Sequence, residues 1–282
     1  MKKYLFFALT ALMVAGCSKS TDEELESLTA KKITFSVDGD FMSPSFTRAL
    51  SANGTDMTDL WAFDFVDEEC VQFVHQTSDD ADFGSPSFTM SQGDHIICFV
   101  VSRGEGAAID EDSRTIEWTK PSDTFWNDKQ LTVSQSTPDN IAVTLNRVAT
   151  RLRVVVNDEV PAGLASVDIT PAKWFYGLNY WTGDAAVPNT NVTRSISIPS
   201  SYAGTTNLTL SIFGLSTTNE WQTDVSLVAK DGEGATVSSI SIADAPFKAN
   251  RTSAYSGRLF TNSGAFSLSL NDEWDNDFTA TW

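Results

Sequence analysis

The chain contains two histidines, His75 and His95, and these are its only general-base candidates with an ordinary pKa near neutral. Neither lies beside a serine or cysteine in a nucleophile motif, and the sequence contains no G-x-S-x-G segment. Cys70 and His75 are five residues apart, which places them on opposite faces of a strand and disfavours a shared metal. The sequence therefore predicts two ordinary strand histidines and a protein that is not an enzyme, with no metal and no cofactor.

The three cysteines raise the question of a disulfide bond. Cys17 directly follows the export segment described below, which leaves Cys70 and Cys98 in apolar runs, in a compartment where disulfides form. The residues favour two free, buried thiols, because buried cysteines behave as small apolar side chains, and a bridge between the two stays open. Two cysteines are too few for a disulfide scaffold in either case.

Two acidic loops and one aromatic run are the other candidates for a binding site. Residues 79–84 and 271–277 supply carboxylates, but neither loop has the spacing of a calcium-binding loop. We expect solvated turns, and a calcium site stays open. Residues 174–181 include five aromatic side chains. A packed corner or interface is the preferred interpretation, with a carbohydrate-stacking platform as the alternative.

The composition excludes some classes of function. The 282 residues include 19 basic and 37 acidic side chains, a formal net charge of −18. A surface this acidic repels phosphate backbones, which excludes nucleic acid as a partner. The hydrophobic fraction of 41% is that of a chain which buries a core, so a wholly disordered protein is also excluded.

The N-terminus indicates export and a lipid anchor. Lys2 and Lys3 precede an apolar stretch over residues 4–16, which suits a secretory signal and is too short to span a bilayer. The stretch ends in V-A-G-C, which resembles the bacterial lipobox, where the cysteine is acylated and becomes the first residue. We predict a signal peptide over residues 1–16 and lipid on Cys17. Residues 17–30 are polar and acidic, as in a flexible tether. They also resemble the stretch that sends some lipoproteins to the outer cell surface.

The elements that position these residues are predicted to be strands. Apolar and polar residues alternate with period two in short segments from residue 33 onward, separated by Asp, Asn, Gly, Pro and Ser. Short, regularly spaced strands of this kind predict an all-β protein built from sandwiches. One strand series ends and another begins near Arg147 and Val148, so we predict an N-terminal domain over residues 31–147 and a C-terminal domain over 148–282.

The first strand and the segment after it are the most informative feature. Ile33, Phe35 and Val37 alternate with polar residues and are expected to fill one face of a sheet. The segment that follows is rich in turn-forming residues, and an arginine-specific protease would cut it between Arg48 and Ala49. Such a cut would remove the lipid and a core strand together, and an extended segment from another copy would fill the groove left behind. The alternative is an ordinary first strand followed by a loop.

Several features together resemble the fimbrillin family, the major and minor subunits of type V pili in Gram-negative anaerobes. They are the lipobox, the first strand ahead of F-T-R-A at residues 46–49, the strand T-D-L-W-A-F-D at residues 58–64, the segment R-V-A-T-R-L-R at residues 147–153, and a chain that ends in Trp282. The resemblance covers most of the mature chain.

The resemblance implies two tandem transthyretin-like β-sandwich domains, export as a lipoprotein of the outer membrane, and exposure at the cell surface. It also implies trimming by an arginine-specific protease and polymerisation into a fimbrium by donor-strand exchange. By analogy, the displaced strand carries Ile33, Phe35 and Val37, and the cut follows Arg48.

The expected partners are other copies or related fimbrial subunits, with a ligand on a host or bacterial surface as a further partner. The donor strand is expected near the C-terminus, with apolar side chains from this set: Phe266, Leu268, Leu270, Phe278 and Trp282. The roles of stalk, tip and uncut anchor all stay open. A glycan-binding surface lipoprotein is the alternative from another functional class.

Overall fold

The computed structural model describes residues 30–39, 57–217, 219–261 and 266–271. Within these residues the chain forms nineteen strands and a single 3-10 turn, Ser200–Tyr202, without an α-helix. None of the described residues belongs to a helix with the length and hydrophobicity needed to cross a membrane. The predicted all-β fold is confirmed.

The strands of the first half of the chain are β1 (Lys31–Gly39), β2 (Asp59–Val66), β3 (Glu69–Thr77), β4 (Ser87–Met90), β5 (Gly93–Ser102), β6 (Glu105–Asp110), β7 (Thr115–Lys120), β8 (Thr124–Val133) and β9 (Asn140–Arg147). Those of the second half are β10 (Ala149–Val156), β11 (Leu164–Pro171), β12 (Lys173–Asn179), β13 (Ala185–Thr190), β14 (Arg194–Ser197), β15 (Leu208–Leu215), β16 (Trp221–Asp231), β17 (Thr236–Phe247), β18 (Arg251–Gly257) and β19 (Phe266–Asn271).

Alternation in the sequence produces these strands. In β15, Leu208, Leu210 and Ile212 are buried, while Thr209 and Ser211 between them are partly exposed. Successive side chains of a strand point to opposite faces, so one face joins the core and the other meets solvent. The period-two pattern in the sequence is therefore the burial pattern in the structure.

Seven strands form the N-terminal sandwich, in the order β3-β2-β5-β8-β9-β1-β4. The link between β8 and β9 is limited to two residue pairs, Phe125 with Arg147 and Trp126 with Asn146. The strands on either side of this link form two layers, β3-β2-β5-β8 and β9-β1-β4. Side chains from both layers share one core, whose members include Phe35 and Phe88 from one layer and Leu60 and Phe99 from the other.

The C-terminal half forms a second sandwich from two four-stranded sheets. Their strand orders are β15-β10-β18-β19 and β14-β11-β16-β17. Leu152 and Leu210 from the first sheet pack with Ile169 and Leu227 from the second in a core of their own. This core and that of the N-terminal sandwich are separate clusters.

A third sheet joins the two halves, with the strand order β13-β12-β7-β6. Residues 115–117 of β7 pair with residues 177–179 of β12, across the domain boundary predicted at residues 147 and 148. A third cluster lies against this sheet and combines Trp61 and Phe63 from β2 with Leu178 and Tyr180. The strand series does change where predicted, since β9 ends at Arg147 and β10 begins at Ala149. The division into two independent domains stays a prediction.

Candidate functional site

The strand β1 lies in the interior of its sheet. Residues 34–39 pair in parallel with residues 140–145 of β9, and residues 31–34 pair antiparallel with residues 87–90 of β4. The pairing continues into the segment ahead of β4, where the amides of Phe35 and Val37 donate to the carbonyl oxygens of Pro86 and Gly84, both at 2.9 Å. The backbone of β1 therefore has hydrogen-bond partners on both sides.

The inward face of β1 fills the core of the N-terminal sandwich. Ile33 and Phe35 are completely buried and Val37 is 7% exposed, as the alternation predicted. The Phe35 ring centroid lies 5.2 Å from that of Phe99 in the opposite layer and 6.1 Å from that of Phe88 in β4. Burial of an apolar side chain of this size contributes about 1.5–3 kcal/mol. These three residues are therefore a substantial part of this core.

The outward face of β1 is polar. The Thr34 hydroxyl on this face lies 2.8 Å from the hydroxyl of Ser87. Lys31 starts the strand on the same face as Ile33, and its Nζ lies 3.0 Å from a carboxylate oxygen of Asp139. Ser36 is exposed. These contacts lie at the surface, so the apolar face and the two backbone edges attach β1 to the sandwich.

The space that β1 occupies between β9 and β4 is hereafter called the acceptor groove. If β1 left, the facing edges of β9 and β4 would lose their hydrogen-bond partners and the core would be open. Unpaired strand edges of this kind are templates for another extended segment. The predicted cleavage residues Arg48 and Ala49, and the lipidation residue Cys17, lie outside the described residues.

The predicted donor segment begins in β19, an edge strand that pairs antiparallel with β18. Phe266 is half-buried against the C-terminal core, whereas Leu268 is 44% exposed. Both side chains line an open cavity of about 370 Å³, together with Ile240, Ile242 and Tyr255. Leu270 belongs to the same strand, and Phe278 and Trp282 lie outside the described residues. Within the described residues, β19 has one sheet partner, in contrast to β1.

A buried polar network, which the sequence analysis did not predict, lies in the layer opposite β4. His95 Nδ1 lies 2.8 Å from Asp64 Oδ1, and both side chains are almost completely buried. Burial raises the pKa of Asp64, and the hydrogen bond from His95 partly offsets that rise. The two residues are 31 positions apart on different strands, so no local motif reveals the pair.

The network is not arranged for nucleophilic catalysis, although Ser91 lies beside His95. His95 Nε2 is 3.1 Å from the backbone carbonyl oxygen of Ser91 and 3.5 Å from its hydroxyl. The contact to the carbonyl oxygen is the shorter of the two, so Nε2 is directed at the backbone of Ser91 and does not have the short hydrogen bond to a hydroxyl that an activated nucleophile needs. His75 pairs instead with Asp59 at 2.8 Å and stacks on Trp61 at the surface.

Residues 108–282 match the model of a family of unknown function (DUF6562), and residues 1–18 match the prokaryotic membrane lipoprotein lipid attachment site. The chain belongs to the DUF6562 family. Comparison with curated proteins gives no match. The second match agrees with the predicted lipoprotein signal that ends before Cys17.

Solved structures with a similar fold include three from Bacteroides species. A "putative cell adhesion protein" from Bacteroides ovatus is 13% identical, with 88% of this chain and 99% of that chain covered and a TM-score of 0.54. A "putative adhesin" from the same species is 11% identical, with 82% and 88% covered and a TM-score of 0.54. "Putative polysaccharide binding proteins" from Bacteroides thetaiotaomicron are 8% identical, with 85% and 97% covered and a TM-score of 0.54. The similarity concerns the fold, which is the one expected from the fimbrillin resemblance.

The DUF6562 match begins within β6 and continues through the C-terminal half. It includes β9, one wall of the acceptor groove, and the C-terminal segment that is predicted to be the donor. It does not include β1 to β5. The strand that we expect to be displaced therefore lies outside the region that the family model covers.

The aromatic run of this DUF6562 chain is packed. Trp174, Tyr176 and Tyr180 are at most 2% exposed, and Trp174 Nε1 donates to the carbonyl oxygen of Phe213 at 2.9 Å. Stacking on a sugar needs an exposed ring face, so these three rings are part of the interior and not a platform.

The acidic loop over residues 79–84 is a turn. Asp80 Oδ2 accepts hydrogen bonds from the backbone amide of Thr77 at 2.6 Å and from its hydroxyl at 3.1 Å, which lowers the pKa of Asp80. Across the described part of the chain, no group of three His, Cys, Asp or Glu side chains is placed to hold a metal. Of the second acidic loop, residues 271–277, the structure describes residue 271 alone.

Both described cysteines are free, but one prediction about them is wrong. Cys98 is buried, as expected, and burial raises the pKa of its thiol to about 12. Cys70 is exposed, because the edge strand β3 carries it on a face that the core does not cover. Val71 and Phe73 on the same strand are about half exposed, so the apolar run around Cys70 did not indicate burial.

Proposed function

We propose that this protein is a cell-surface fimbrial subunit that polymerises by donor-strand exchange. The observation that carries the proposal is the position of β1, which is paired on both sides and inserts Ile33, Phe35 and Val37 into the core. Removal of such a strand leaves a groove that is both apolar and lined by hydrogen-bonding edges. An extended segment from a second copy satisfies both requirements.

The proposed maturation begins with export and lipidation on Cys17, which anchors the chain in the outer membrane at the cell surface. An arginine-specific protease then cuts between Arg48 and Ala49. The cut separates the lipid and β1 from the rest of the chain, so one event frees the subunit and opens the acceptor groove. A subunit that is never cut keeps its lipid and serves as an anchor.

The proposed donor is the C-terminal segment of another subunit. Phe266, Leu268 and Leu270 alternate with serines in F-S-L-S-L, as Ile33, Phe35 and Val37 alternate with threonine and serine in I-T-F-S-V. The two segments therefore present apolar side chains with the same period on one face of a strand. Phe278 and Trp282 extend the apolar content of this segment toward the end of the chain.

The adhesion-related names of similar folds support this proposal, as does the lipid attachment site. They also support a structural or adhesive role over an enzymatic one. A partner on a host or bacterial surface belongs to the same proposal.

The experiment is to isolate cell-surface fibres and determine the N-terminal residue and mass of the subunit. We expect chains that begin at Ala49 and carry no lipid. In the Arg48→Ala variant, we expect acylated chains that begin at Cys17 and form no fibres. Arg258→Ala is the matched control, because Arg258 is exposed and lies far from the cleavage segment in sequence. Fibres of normal length from Arg48→Ala would exclude the cleavage step, whereas only acylated chains in wild-type material would favour an anchor.

A further inference from the structure

The strand β4 has β1 as its single strand partner in the described part of the chain. Together with the residues before it, over 84–90, it supplies one complete wall of the acceptor groove. Loss of β1 would leave this wall without any neighbouring strand. A groove that awaits a donor therefore needs some other structure to hold β4 in place.

Gln76 on β3 is hydrogen-bonded to the segment that leads into β4. Its side chain is 4% exposed and reaches across the sandwich from the opposite layer. Nε2 donates to the carbonyl oxygen of Asp82 at 3.1 Å, and Oε1 accepts from the amide of Gly84 at 3.1 Å. Gly84 is the residue whose carbonyl oxygen receives the amide of Val37 in β1.

Gln72, on the same face of β3, holds β4 itself. Its Nε2 donates to the carbonyl oxygen of Thr89 at 2.8 Å, and its Oε1 accepts from the amide of Thr89 at 3.3 Å. A primary amide presents a donor and an acceptor side by side, as a peptide group does. The two glutamines therefore make the hydrogen bonds that a neighbouring strand would make.

The buried pair Asp64 and His95 supports this arrangement. Asp64 Oδ2 accepts a long hydrogen bond from Gln72 Nε2 at 3.4 Å, and Oδ1 pairs with His95. His95 in turn reaches the carbonyl oxygen of Ser91, just beyond β4. One carboxylate thus orients two side chains, which contact the backbone on either side of Met90.

We propose that Gln72 and Gln76 are positioning residues that keep the β4 wall of the acceptor groove in place after β1 has left. This inference rests on the proposed donor-strand function. The glutamines keep the groove in the shape that a donor strand binds. Binding then costs the conformational entropy of the incoming strand alone, because residues 82–91 are already ordered.

The test uses the full chain, cut after Arg48 with an arginine-specific protease, so that β1 stays bound until it is exchanged. Excess labelled peptide of residues 30–39 displaces it, and the dissociation constant of the label is measured in wild type and in the Gln72→Ala/Gln76→Ala variant. Gln130→Ala is the control, because Gln130 is an exposed strand glutamine of the same layer as β3. Amide hydrogen exchange of residues 82–91 and 140–145 is followed after β1 has been washed out.

We expect the double variant to bind the peptide at least 10-fold more weakly than wild type and Gln130→Ala. We also expect it to lose amide protection over residues 82–91 while residues 140–145 behave as in wild type. A merely structural role would reduce protection in both segments together. Equal peptide binding, or equal protection of residues 82–91 in all three proteins, would overturn the inference. If wild type fails to bind the peptide at all, the proposed function falls and the inference falls with it.

Discussion

The first strands of the two sandwiches, β1 and β10, occupy equivalent positions but are connected differently. Each lies between an antiparallel neighbour and a parallel one, β4 and β9 for β1, and β15 and β18 for β10. Each buries apolar side chains on one face. β10 continues directly from β9 through Val148, whereas nineteen residues separate the end of β1 at Gly39 from the start of β2 at Asp59.

The extent of pairing differs as well. All of β10 pairs with the strand β15 and nearly all with β18, whereas β1 pairs with the strand β4 over residues 31–34 and beyond that with the segment ahead of β4, through the amides of Phe35 and Val37. Its pairing with β9 covers residues 34–39. The same topology thus gives one strand that is joined directly to the strand before it in the chain and one that is joined to the next strand through a long connection, which a single cut would sever. Under the proposed function, the C-terminal sandwich stays closed and the N-terminal sandwich opens when β1 leaves.

The largest effect is expected when the central side chain of β1 is removed. We expect Phe35→Ala to lower the free energy of unfolding of the uncut chain by about 3–5 kcal/mol, because a fully buried ring is replaced by a cavity. Urea unfolding followed by tryptophan fluorescence measures the change. Cutting after Arg48 should then release β1 from the variant much faster than from wild type.

Leu268→Ala is the control for Phe35→Ala, because Leu268 lies on an edge strand and is 44% exposed. Its effect on unfolding should be small, since an exposed leucine loses little burial when it is truncated. If Phe35→Ala cost no more than Leu268→Ala, β1 would not be an integral part of the core, and the displaced-strand proposal would be wrong.

Much of this site was predictable from the sequence, because alternation is a local property. Ile33, Phe35 and Val37 are buried as their spacing predicted, and the all-β fold followed from the same pattern. The parallel pairing of β1 with β9 was not predictable, since it joins segments about a hundred residues apart and no local pattern selects the partner. The same holds for the pairing of β7 with β12 across the predicted boundary.

The polar contacts of the site could not be predicted from the sequence for a different reason. Gln72 and Gln76 are polar residues of an alternating strand. The sequence gives no sign that Gln72 contacts the backbone of β4, or that Gln76 contacts the backbone of the segment ahead of it. The error at Cys70 has the same origin, because an apolar run on an edge strand resembles one in the middle of a sheet. Sheet order decides both cases, and sheet order is a property of the whole chain.

A second, smaller effect on stability is expected at Asp158, which binds the segment that leads into β19. The Asp158 carboxylate accepts the backbone amides of Leu259, Phe260 and Thr261 at 3.0, 2.8 and 2.8 Å. Burial alone would raise the pKa of Asp158, but these hydrogen bonds outweigh it and hold the pKa below its usual value. We expect Asp158→Asn to lower the free energy of unfolding at neutral pH by about 1–3 kcal/mol, since hydrogen bonds to a charged group are lost.

The pH dependence of this effect has a definite sign. A carboxylate whose pKa is lower in the folded state stabilises the fold above its unfolded pKa of about 3.9, and that contribution is lost as the pH falls through the folded value. The difference between wild type and Asp158→Asn should therefore be full at pH 7 and shrink in acid. A difference that stays constant between pH 7 and pH 3 would show that the charge of Asp158 does not hold residues 259–261.

The smallest effect is expected from the ion pair at the start of β1. Lys31 Nζ lies 3.0 Å from Asp139 and donates to the carbonyl oxygen of Gln135 at 3.1 Å, but the Asp139 side chain is 76% exposed. Exposed pairs contribute about 0–1 kcal/mol, so Lys31→Ala should change the free energy of unfolding by less than about 1 kcal/mol. Release of β1 from the cut chain should likewise depend little on salt between 0.1 and 1 M. A release rate that rises steeply with salt would mean that charge retains β1. An apolar donor such as F-S-L-S-L, which has no counterpart of Lys31, would then be a poor replacement for it.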